Sequence, residues 1–304
     1  MTVFIEQSML LFQRQQKPHL VGGSAHREIL SKLWGYPSAQ QLSREVYHLY
    51  GDYLSYVESS DFTSSTYALN LGHEPLALKS AEIKIQLGTD RVAESLAHEL
   101  LHLRLPMLGF PLAELMWIPL PLDPYAQDFL GMSQWVLNLV QHEINFQSFL
   151  ELGFDRKHFL AKPLKPMDYR KLFGRKPQNG YVEEVDFPRW CVAYLGHLFT
   201  ARHGGDEDSM GYAQDALAWG SRLHPDLKRI TAAINEWFDI GAFKDPGQYP
   251  RQVNGLLELM RIPKYTGWVI LEFSKAQKPV AVRLENLGIG YDGLDQAFSL
   301  LPFY

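Results

Sequence analysis

The chain contains one cysteine in 304 residues, Cys191. A single thiol cannot close an intramolecular disulfide, so nothing here calls for an oxidising compartment. Cys191 sits in the apolar run Trp190-Cys191-Val192-Ala193-Tyr194, the setting of a buried structural thiol rather than a nucleophile. Long apolar runs are also missing. No stretch reaches the roughly 18 residues a membrane helix requires, so no membrane partner is expected. The first residues lack a basic segment ahead of an apolar core and a small-residue cleavage site, so they do not read as a secretory signal. A cytoplasmic location is the expectation. Excess positive charge is absent as well: at a net charge of −5, the chain offers no basic surface for nucleic acid or an anionic membrane. No C-x-x-C, Walker loop or G-x-S-x-G occurs. Gly288, Gly290 and Gly293 spell G-x-G-x-x-G, but no helix opening or acidic partner follows, and a glycine-rich loop is the plain reading.

What is present is ordinary for a globular protein: 46% apolar residues, 21% charged residues and generous aromatics. The length allows one large domain or two smaller ones, with a sizeable core. Hydrophobic periodicity predicts helices over about 25–35, capped by Ser24, and 39–59, capped by Ser38 and weakened at Gly51. Alternating segments at 66–71 and 82–87 predict short strands. A helix over about 91–104 follows, with Thr89 or Asp90 as its cap. Pro106, Pro111, Pro119, Pro121 and Pro124 then break an apolar, lid-like connection. A second long helix runs from about 124 or 126 to 152 and stops at Gly153. The polar stretch 154–185 reads as an exposed joint. Helices are expected at 187–203, 210–222, 225–239 and 248–261, then a strand pair at 266–273 and 279–284. This pattern predicts a mainly helical α+β protein. Residues 1–153 form one region and 154–304 a helical second region ending in a β-hairpin, as two domains or as one continuous domain.

Ala97-His98-Glu99-Leu100-Leu101-His102-Leu103 carries the clearest chemistry. His98 and His102 are four positions apart and project from one helix face, as two ligands of one metal ion require. Glu99 stands beside that face, where a carboxylate can deprotonate a metal-activated water. With eleven histidines in the chain, chance supplies only about 0.02 H-E-x-x-H motifs at this composition. Imidazole ligands point to one zinc ion. Zinc sites that do chemistry use three protein ligands and leave one position open.

The third ligand is sought in the second long helix, at His142 and Glu143. Around the stripe Met132, Trp135, Val136, Leu139, Phe146 and Leu150, Glu143 falls about 30–40° from the centre and His142 about 60–70° on the other side. A carboxylate buried there needs a partner or a metal, which favours Glu143. Imidazole is an equally good zinc ligand, so His142 stands beside it, and one of the two can instead orient an imidazole from behind. Glu94, one turn before His98, is either such an orienting group or a first-turn acid favouring the helix dipole. Candidates for stabilising an oxyanion are His197, His203, His224, Tyr169 and Arg104, each with a plainer structural reading. His203-Gly204-Gly205-Asp206-Glu207-Asp208 reads as a solvated loop.

A strand, a helix bearing His98-Glu99-x-x-His102 and a second helix with a Glu or His ligand together resemble the zincin metallopeptidases. With Glu143 as third ligand the pattern is similar to the gluzincins, nearest the compact intracellular domain of the ImmA/IrrE kind. Glu143-Ile144-Asn145-Phe146 echoes that group's Glu beside an Ala-Asn-x-Phe run, one residue shorter. The likeness spans about residues 80–153. It implies a core built of a short antiparallel sheet, the H-E-x-x-H helix and the second ligand helix. It also implies His98 and His102 on zinc, Glu99 as general base, and a peptide or protein substrate paired to the edge of a strand, with 82–87 the candidate. The implied activity is zinc-dependent peptide hydrolysis. The competing expectations are a metal-binding regulatory or interaction protein without general turnover, and a hydrolase of non-peptide amides.

Overall fold

The computed structural model describes residues 23–58, 66–71, 78–86, 88–115, 124–160, 182–203, 207–223, 225–262, 266–273 and 280–283. The serine-rich connection at 59–65, most of the proline-rich connection, the bulk of the polar joint, and Tyr169, His224, Gly288, Gly290 and Gly293 lie outside them.

Helix α1 spans Gly23–Ser31 and α2 spans Pro37–Tyr50. Ser38 does not cap α2: Tyr36 occupies the cap position, and Pro37, with φ already helical, starts the first turn. The expected continuation to residue 59 is wrong. Gly51 takes φ +54°, its N–H closing on the Tyr47 carbonyl, and ends the helix. A 3-10 turn, Gly51–Tyr53, follows, then strand β1, Leu54–Glu58. Leu54 and Tyr56 alternate inward along β1, while Leu42 and Val46 form the buried stripe of α2.

Strands β2 (Thr66–Leu71) and β3 (Leu78–Ile85) complete a three-stranded sheet in the order β1-β3-β2. β2 runs antiparallel to β3, but β1 runs parallel to it, so the sheet is mixed rather than antiparallel. β3 is therefore the central strand. Both its edges are taken, and it cannot accept a peptide by edge pairing as the resemblance implied for 82–87.

Helix α3 spans Val92–Met107 and carries the H-E-x-x-H. Arg91 holds its cap position; Thr89 instead donates to the Gln86 carbonyl. Leu96, Ala97, Leu100, Leu101, Leu103 and Leu105 bury it on nearly every side, which marks a central core helix. Pro106 occupies the last turn, where a missing N–H ends rather than kinks the helix. β4 (Leu112–Leu115) comes next, then α4 (Pro124–Glu151), closed by Gly153 at φ +94°.

Helices α5 (Val182–His203), α6 (Glu207–Leu223), α7 (Pro225–Asp239) and α8 (Tyr249–Leu259) follow. β5 (Thr266–Glu272) and β6 (Val280–Arg283) form the expected hairpin pair. β4 joins their sheet in the order β4-β5-β6, antiparallel throughout. The protein is mainly helical α+β. One hydrophobic cluster runs from Ile29 through Leu100, Val136 and Tyr194 to Leu271, so the core is continuous across residues 153 and 154. Cys191 is buried within it. Among the described residues, no helix is long and apolar enough to cross a membrane.

Candidate metal centre

The site forms where α3 packs on α4. His98 and His102, one turn apart, face α4, and His142 of α4 reaches back to meet them. His98 Nε2 lies 3.0 Å from His142 Nε2 and 3.2 Å from His102 Nε2. Two nitrogens bound to one zinc at tetrahedral angles stand about 3.3 Å apart, so these spacings fit a shared ion. Among the described residues, His98, His102 and His142 are the one group of three or more such side chains whose ligand atoms lie within 4.8 Å of one another.

The environment keeps these rings neutral. Burial, then the neighbouring His102 and Arg91 charges, holds His98 well below its ordinary pKa. Burial, followed by His98, His102 and His203, does the same to His142. His102 is lowered to about 4 by burial, although its bond to Gln141 pulls the other way. Neutral imidazoles present lone pairs. The Gln141 Oε1 lies 2.9 Å from His102 Nδ1, so Nδ1 carries the proton and donates, and Nε2 faces the cluster bare. One proton on His98 Nε2 can satisfy only one of its two neighbours. His142 Nδ1 is buried without a hydrogen-bond partner, its ring packed on Phe159 and Phe199. Three convergent nitrogens with too few protons between them are a donor set suited to a cation.

Glu99 follows His98 on α3 and is 6% exposed. Burial raises its carboxyl to about 8, into the range in which a carboxylate becomes an effective base near neutral pH. Tyr67 of β2 faces both groups. Its ring stacks on His102, with centroids 4.8 Å apart and planes 13° apart, and its phenol feels the Glu99 charge. Phe159 closes the other side against His98, and Phe149 packs behind it.

Glu143 is not part of the cluster. Its carboxylate accepts from His203 Nε2 at 2.6 Å and lies 3.4 Å from the Arg202 guanidinium. Arg202 reaches on to Asp239 at 2.9 Å, which ties α4 and α5 to α7. The requirement that a buried carboxylate be paired is thus met by Arg202 and His203 at the end of α5, not by the histidines of α3. Glu94 does orient an imidazole, but that of His158, at 3.1 Å. Of the oxyanion candidates, His203 is engaged by Glu143, His197 is buried within α5, and Arg104 lies in the last turn of α3. Of the segment read as a solvated loop, Glu207 and Asp208 are exposed in the first turn of α6.

Sequence reasoning missed Gln141, Tyr67 and Tyr249. Tyr67 also donates to Gln141 Oε1, at 2.9 Å, and the Tyr249 phenol of α8 faces the same amide. Gln141 had one available signal: it immediately precedes a candidate ligand.

No protein-family model, curated protein or solved structure matches this chain. Site geometry is therefore what any functional reading has to rest on.

Proposed function

We propose that the protein is a zinc-dependent hydrolase on a zincin-like core, acting on peptide bonds, with His98, His102 and His142 as the zinc ligands. The convergence of three neutral imidazole nitrogens carries this reading, because it supplies the three protein ligands that a catalytic zinc site takes. It also replaces the gluzincin-type glutamate ligand with a histidine. A zinc ion held there supplies Lewis acidity for a substrate carbonyl and for water. Glu99 adjoins His98 on the same helix, and its raised pKa suits it to take a proton from the attacking water and pass it to the leaving amine. The half-buried ring of Tyr67 and the buried ring of Phe159 flank the histidines with apolar surface, which strengthens charge interactions beside them.

Glu99→Gln tests the role of the base. It should retain stoichiometric zinc and lose about two to four orders of magnitude in hydrolysis of a quenched-fluorescence peptide library. Full activity in that variant would remove Glu99 from the mechanism. A second reading, a metal-binding protein without general turnover, draws support from the depth of the site, since His102 is 3% exposed. Wild-type protein with bound zinc and no hydrolysis of any peptide in the library would favour it.

A further inference from the structure

Gln141 does more than fill space beside the histidines. Its single side-chain oxygen takes two hydrogen bonds, each 2.9 Å, from His102 Nδ1 and from the Tyr67 hydroxyl. A neutral imidazole that donates from Nδ1 leaves a bare lone pair on Nε2, the form a metal requires. An amide turned the other way would donate to Nδ1, moving the ring proton to Nε2 and blocking the ligand position. Tyr67 donates to the same oxygen and so helps to hold it at this position.

The His102 ring is therefore held in two directions. In its plane it is tied to Gln141, and across its face it lies against the Tyr67 ring. His98 and His142 differ from it. Both pack on Phe159, and His142 has no partner at Nδ1. The clamp also spans three elements, since β2 supplies Tyr67, α3 supplies His102 and α4 supplies Gln141 next to His142.

We infer that Gln141, braced by the Tyr67 hydroxyl, is a positioning residue that selects the metal-binding tautomer of His102 and aims its Nε2, an inference that rests on the metal site proposed above. Gln141 touches no reacting atom in this scheme. It sets affinity through His102, and losing an outer partner of a ligating histidine costs about 10–100-fold in metal affinity.

The test compares zinc dissociation constants, measured by competition with a chromophoric chelator, for wild type, Gln141→Leu, Gln141→Glu, Tyr67→Phe and His98→Ala. Gln141→Leu leaves a buried N–H unpaired and should weaken binding about 10–100-fold. Gln141→Glu keeps an acceptor at the same place and should restore affinity to within a few-fold of wild type or better. Tyr67→Phe keeps the stacked ring but removes the brace, and should weaken binding several-fold, which provides a milder probe where Gln141→Leu folds poorly. Wild-type affinity in Gln141→Leu, or equal weakening in the Leu and Glu variants as a packing role predicts, overturns the inference while leaving the metal site standing. Zinc binding by His98→Ala as tight as by wild type sinks the metal site itself, and the positioning role with it.

Discussion

His142 and Glu143 are neighbours on one helix with different partners, and substituting each in turn would separate the proposed metal binding from stability. Structural zinc binding amounts to about 10–16 kcal/mol over four ligands, so one ligand is worth about 3 kcal/mol, or two orders of magnitude in affinity. At zinc a thousand-fold above its dissociation constant, wild-type protein gains about 4 kcal/mol, or ~8 °C in Tm for a chain of this size. In His142→Ala the same zinc concentration is only about ten-fold above a hundred-fold weaker constant. The gain should fall to about 1.4 kcal/mol, or ~3 °C. Glu143→Ala does the reverse. It removes the partner of His203 and leaves Arg202 with Asp239 alone, and should lower the metal-free stability by about 1–2 kcal/mol. Its zinc-induced shift should stay near 8 °C. Differential scanning fluorimetry with and without zinc, checked by metal analysis after gel filtration, reads both quantities. A full zinc shift in His142→Ala together with a lost shift in Glu143→Ala would refute the assignment and return the carboxylate to the ligand set.

From Glu99 and His102, the metal-free protein should be most stable in mildly acidic solution, between the ordinary pKa values of glutamate and histidine, and should lose stability from there toward pH 8. Glu99 has a folded pKa of about 8, raised by burial from its ordinary value, so its contribution is intact below that ordinary value and is lost progressively as pH rises from there to 8. His102 is depressed to about 4, so its contribution is present above its ordinary value and is lost as pH falls toward 4. Urea denaturation of metal-free Glu99→Gln should therefore show less alkaline loss than wild type, by a few kcal/mol at pH 8, with the acid limb unchanged; parallel curves for the two proteins would count against a buried carboxylate. Tyr50→Phe removes the 2.9 Å bond to the Leu103 carbonyl, which ties α2 to α3 beside His102, and should cost about 1–2 kcal/mol in chemical denaturation. Gly51→Ala meets no atom within 4 Å but forces a side chain to φ +54°, and a loss of about 1–2 kcal/mol would assign the cost to backbone strain alone.

Helical phase told much of this fold from the sequence. The limits of α3, α4 and the C-terminal helices follow from apolar stripes closed by Gly153 or opened by Pro225, which are local signals. β1 was hidden because Val57 continues the spacing of α2. The glycine at 51 is a terminus with positive φ, not a weak point inside a longer helix. The parallel pairing of β1 with β3 has no local mark, because strand direction depends on where the chain returns. β4 has four residues, and its partner lies far along the chain. At the site, H-E-x-x-H was legible because both histidines sit on one helix. The choice between His142 and Glu143 was not. A single-stripe picture gives α4 one inward face, whereas α4 packs on α3 and on α5. Both side chains therefore point inward, one toward the α3 histidines and the other toward Arg202 and His203. Tyr67 and Gln141 meet across 74 positions, a separation that no spacing rule reads.

The pairing of β4 with β5 bears on how the chain is made. Leu112 finds its partner Val269 only 157 positions later. At a synthesis rate of about 5–20 residues per second, β4 leaves the ribosome roughly 8–30 s before the strand that covers its edge exists. α3, which packs on β5, waits as long for that contact. Every residue of the proposed metal site, from His98 to His142, is made before β5, so an ion bound there would act on folding before the second sheet closes.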